Sequence, residues 1–70
     1  MDLSKFLRIL PNGTNVRVKV IGTNYVFSGV TGNQKTDEFL HDIYVKANPH
    51  PLIYAIYPLY HVRELYIECW

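Results

Sequence analysis

Four side chains with metal-binding chemistry, His41, His50, His61 and Cys69, lie 9, 11 and 8 positions apart in this 70-residue chain. Zinc sites draw at least two ligands from a single turn, a few residues apart, and these intervals contain no such pair. A metal centre is not expected. His61, Glu64 and Asp42 have the residue types of a base and its orienting carboxylates. No serine or second cysteine stands in a nucleophile motif, however, and Cys69 falls on the inward phase of its segment. The sequence reads as neither an enzyme nor a cofactor carrier.

Binding chemistry has more support. Arg17 and Lys19 project from one side of an alternating segment, and Arg63 or Lys46 could join them across a sheet. With Tyr25, Tyr44 and Tyr60 nearby, such a patch would stack a base and hold a phosphate. Seven Lys and Arg against six Asp and Glu give a net charge of +1, which suits a small nucleotide better than a long polyanion. The competing reading is a solvated strand face with no ligand.

The elements that would position these residues follow from periodicity. Leu3, Phe6, Leu7 and Leu10 recur at helical spacing, so residues 2–10 form a short amphipathic helix, capped by Asp2 or Ser4 and ended by Pro11-Asn12-Gly13. Val16, Val18 and Val20 alternate with Arg17 and Lys19 in a strand over 14–21. After a Gly-Thr-Asn turn, 25–30 returns as its hairpin partner. A polar loop over 31–36 and a short turn at 37–40 lead to further strands at 43–47, 52–57 and 64–70, with Pro58 breaking the fourth. The expected class is mainly β. It has an N-terminal helix followed by a five-stranded, strongly bent antiparallel sheet or small barrel, in one domain spanning residues 1–70.

So small a domain hides only part of its surface, yet 49% of this chain is hydrophobic and 14% aromatic. In residues 52–57, Leu52, Tyr54 and Ile56 take one face and Ile53, Ala55 and Tyr57 the other, so both faces need cover. In the last strand Leu65, Ile67 and Cys69 point inward while Tyr66, Glu68 and Trp70 point outward. Tyr and Trp are favoured at interfaces, so Tyr54, Tyr57, Tyr66 and Trp70 are expected to form a homo-oligomer contact. A lone Cys69 offers no internal disulfide, and neither a leader nor a membrane-spanning run is evident. A soluble, cytoplasmic protein is expected.

The short helix, the valine-rich hairpin with Gly22, Gly29 and Gly32, the polar loop and the hydrophobic closing strand resemble the Sm-like small barrel. The segments FLRILPNGTNVRVKV, FSGVTG, DEFLHDIYV and RELYIEC are similar to short uncharacterised proteins of phages and mobile elements in Gram-positive bacteria. The stretch Tyr57–Val62 departs from the Sm pattern in lacking its positively charged, glycine-containing signature. The resemblance carries no activity with it; the leading expectation is a non-catalytic phage or mobile-element accessory protein that self-associates through its aromatic C-terminal half and binds a host component, for instance as a defence antagonist. Two alternatives are an Sm-like binder of RNA or single-stranded nucleic acid, and an oligomeric sponge for a small nucleotide signal.

Overall fold

The computed structural model describes residues 1–46 and 51–70, and the side chains of Tyr44 and Lys46 lie outside that description. The chain runs α1 (Leu3–Ile9), β1 (Asn15–Val20), β2 (Val26–Val30), α2 (Gln34–Lys46), β3 (Ile53–Leu59), a 3₁₀ turn (Tyr60–Val62) and β4 (Glu64–Cys69). The four strands among the described residues form one sheet in the order β2-β1-β4-β3. Each hairpin is antiparallel, and the two hairpins meet through a parallel pairing of β1 with β4, in which Val16 lies opposite Leu65 and Val20 opposite Cys69.

Two expectations are corrected here. The sheet has four strands in mixed directions, with β2 and β3 as its edges, where five antiparallel strands or a closed barrel were expected. The proposed third strand at 43–47 is instead the end of α2, apart from residue 47, which lies outside the described residues. The reason is the helical spacing of Thr36, Phe39, Leu40 and Ile43, all buried, which α2 turns to the sheet while Asp37, Glu38, His41 and Asp42 stay exposed. Asn33 starts the helix, its Oδ1 accepting from the Lys35 amide at 2.9 Å. Helical crossovers are the usual way to bring two strands parallel, and α2 joins the two hairpins in that role.

The core lies on one side of the sheet. Val16, Val18, Val20, Ile67 and Cys69 meet Leu3 and Leu7 of α1 and Phe39, Leu40 and Ile43 of α2. Fully burying each aliphatic side chain is worth about 1.5–3 kcal/mol. Phe6 and Leu10 pack around this cluster, so the expected stripe on α1 is present and lies on the sheet face. Asp2 caps α1 by accepting from the Lys5 amide at 3.2 Å. The residues around it hold the start of β3: the Leu3 amide donates to Pro51 O at 2.9 Å, and the Ile53 amide to Met1 O at 2.8 Å.

Buried Thr31 ties the two loops below the sheet together. Its Oγ1 accepts from the Thr14 amide at 3.0 Å and donates to Pro11 O at 2.7 Å. Gly29 has a different task. Phe27 lies on the same phase of β2, its ring stacked on Phe39 with centroids 4.4 Å apart, and a Cβ at position 29 would sit 2.4 Å from that ring. Only glycine leaves the ring its place. Gly29→Ala is expected to cost about 1–3 kcal/mol through overpacking, read as a lower urea midpoint with an unchanged m-value.

Strand β3 departs from simple alternation. Ile53 opposes Cys69 and Ala55 opposes Glu68, so Tyr54 is an extra residue in a β-bulge. Beyond the bulge the phase is reversed: Ile56 lies opposite inward Ile67, and Tyr57 opposite outward Tyr66. The expected split, with Tyr54 and Ile56 on one face and Ile53 and Tyr57 on the other, is thereby corrected. The strand also runs through Pro58 to Leu59 instead of breaking there. An edge strand tolerates proline, because one side of its backbone has no ladder partner to lose.

Candidate functional site

Both helices pack on the Val16–Val18–Val20 side, and the opposite side of the sheet is covered by no element of the described residues. Strand alternation fills this bare face in rows. One row reads Ser28, Arg17, Tyr66, Tyr57 from β2 to β3, and the next reads Val26, Lys19, Glu68, Ala55.

The aromatic residues gather at the β4–β3 half. Tyr57 and Tyr66 are tilted neighbours with ring centroids 6.0 Å apart. Trp70, which alternation carries outward beyond Cys69, meets Tyr54 edge to face at 5.2 Å. The bulge is what lets Tyr54 and Tyr57 take part together. Tyr54 is 59% exposed, Tyr57 47% and Trp70 53%, so these rings present a broad wetted surface while holding one another in place.

The charges on this face are already matched. Arg17 Nε lies 3.2 Å from Glu64 Oε1, without hydrogen-bond alignment, and donates to Ser28 Oγ at 3.3 Å. Arg17 is half exposed, so its ion pair contributes at most about 1 kcal/mol to stability. Its effect is to cancel charge locally. Lys19 stands opposite Glu68 in the parallel ladder, which leaves the face near neutral.

The expected nucleotide cluster is not assembled. Arg17 and Lys19 share the bare face, but Tyr25 shares the phase of Phe27 and packs against the core on the other side. Tyr60 and Arg63 sit in the β3–β4 turn, where they line a cavity of about 200 Å³ with Thr14, Asn15 and Leu65. That is below the roughly 300–1,000 Å³ of ordinary small-molecule sites. Arg63 takes a left-handed conformation at φ 51° to close the turn. The side chain of Tyr44, on α2, lies outside the described residues.

His41 is exposed on α2 and His61 lies in the 3₁₀ turn, while His50 falls outside the described residues. No group of His, Cys, Asp and Glu among the described residues is placed to hold a metal ion. Cys69 is fully buried, and burial pushes its thiol up from 9.0 to about 11. A thiol in that state is a poor nucleophile. The folded chain keeps this proton at a pH where the unfolded chain releases it, so stability should fall as pH rises from about 9 to 11. Urea titrations across this range are expected to show the loss in the natural chain, and a shallower slope in Cys69→Ala.

No helix among the described residues is long and apolar enough to cross a membrane. Compared with known proteins, the chain matches no family model, no curated protein and no solved structure. The class is therefore defined by its own geometry: a mixed four-stranded sheet, backed by two helices on one side and bare on the other.

Proposed function

We propose that this chain is a non-catalytic binding protein that works through the bare face of its sheet. It self-associates there, and the same surface engages a host component. The observation that carries the reading is the pair of ring contacts, Tyr54 with Trp70 and Tyr57 with Tyr66, held half-exposed on an uncovered face. Aromatic anchors of this kind dominate the energetics of protein interfaces. On the resemblance of FLRILPNGTNVRVKV and DEFLHDIYV to short phage and mobile-element proteins, we further propose that the host component belongs to an infected cell, with defence antagonism as one form.

A second reading, a single-stranded nucleic-acid platform of Sm-like type, draws on rings that stack bases beside Arg17 and Lys19. The matched charges favour a protein partner over a polyanion, because each cation already faces a carboxylate. A sponge for a small nucleotide ranks below both, since Tyr60 and Arg63 frame only a small cavity.

Trp70 is the only tryptophan in the chain, so it reports on this face directly. As concentration rises, sedimentation should show association while Trp70 emission shifts to the blue. Association without any change in Trp70 emission would place the contact elsewhere. Binding to single-stranded RNA that weakens steeply with salt would favour the second reading.

A further inference from the structure

The geometry points to one partner arrangement: a second copy of this chain stacked face to face, related by a two-fold axis that runs along the strands between β1 and β4. This deepens the self-association reading and rests on it. Such an axis reverses the strand order, so β1 of one copy lies over β4 of the other and β2 over β3, with heights along the strands preserved.

Each contact this creates is complementary. In one row Arg17 lies over the Tyr66 ring of the second copy, a cation on an aromatic face, and small Ser28 lies under the large Tyr57. In the next row Lys19 lies over Glu68, and Val26, 57% exposed, lies over Ala55. Sheets packed this way stand about 10 Å apart, within reach of long side chains from both faces.

The other two-fold arrangement, with its axis across the strands, fails on the same residues. It sets β1 over β1, so Arg17 meets Lys19 of the second copy when the axis runs between the two rows, and meets its own counterpart, with Tyr66 on Tyr66 and Tyr57 on Tyr57, when the axis runs through the first row. Like charges so juxtaposed disfavour a contact by several kcal/mol.

The size of the face sets the strength of the contact. Four strands about 4.8 Å apart and six residues long present roughly 400 Å² of projected area. Side chains roughen the face, so its accessible area exceeds this flat value. A face this small still does not go beyond the roughly 800 Å² of accessible surface per partner of a standard interface, and the dimer should be concentration-dependent.

The test uses two charge variants, Lys19→Glu and Glu68→Lys, each checked for folding by far-UV circular dichroism and measured by sedimentation equilibrium alone and in equimolar mixture. Each variant alone places like charges across the axis and should self-associate at least tenfold more weakly than the natural chain. The mixture should recover the natural affinity, because both contacts between unlike variants again pair opposite charges. Val26→Glu mixed with Ala55→Lys provides an independent check. These residues lie on opposite edges of one sheet, so only a second copy brings them together. If the natural chain associates but neither mixture recovers affinity over its components, this arrangement is wrong while self-association stands. A natural chain that stays monomeric at millimolar concentration removes both.

Discussion

Ile43→Ala should remove about half of the stability of this protein. Ile43 is fully buried, and α2 wedges it among side chains of α1 and the central strands. Truncating such a residue costs about 2–5 kcal/mol, from lost transfer energy and from the cavity left behind. A domain of this length has a total stability of roughly 4–10 kcal/mol at ordinary values per residue. The expected result is a urea midpoint lowered by about half. Val45→Ala is the informative control, since Val45 is 67% exposed and should change stability by no more than about 0.5 kcal/mol. In a strand, positions 43 and 45 would share a face and suffer alike; on a helix they part. Equal losses at both positions would contradict the helix.

Trp70→Ala combined with Tyr57→Ala should abolish association while leaving the fold intact. Each ring belongs to one of the two aromatic contacts on the bare face, and each is about half exposed. Central aromatic anchors contribute about 2 kcal/mol or more to an interface, which corresponds to at least a thirtyfold loss of affinity. Neither residue belongs to the core cluster, so the urea midpoint should move little. The comparison variant is Ile9→Ala. Ile9 is 70% exposed on α1, away from the sheet's bare face, and its truncation should leave association unchanged. Were Ile9→Ala as damaging as the aromatic pair, the helical side would be the interface.

How far the sequence reveals this arrangement depends on how local each signal is. The helix over Leu3–Ile9 and the strand over Asn15–Val20 are readable because their apolar residues keep one period and have clear stops. The last strand is equally plain, with Leu65, Ile67 and Cys69 inward and Tyr66 and Glu68 outward. Helix α2 carried the same spacing as α1 in Thr36, Phe39, Leu40 and Ile43. Its turn-rich start at Gly32-Asn33 and its β-branched end at Ile43 and Val45 pointed toward loop and strand. Tyr25 could have been set aside by phase alone, since it alternates with Phe27 and Gly29 and so faces the core.

Two features had no local signature. The bulge at Tyr54 is a single unpaired residue whose presence shows only in the register of the strand beside it. The parallel seam of β1 with β4 joins segments whose own patterns are silent about direction. Tyr54, Tyr57, Tyr66 and Trp70 were singled out by residue type, but their placement on one surface depends on the bulge, while the seam sets Arg17 and Lys19 beside them.

That seam also governs how the chain reaches its native state. Val16 and Leu65 meet although 49 positions separate them, so the central ladder closes only after the segment between them has been gathered. Each hairpin forms from near neighbours, but a lone two-stranded hairpin is marginal in water. Loop closure must be met before the middle zips, which slows folding relative to helical domains of equal length. Refolding should therefore be a single late, cooperative event, with no half of the molecule persisting by itself.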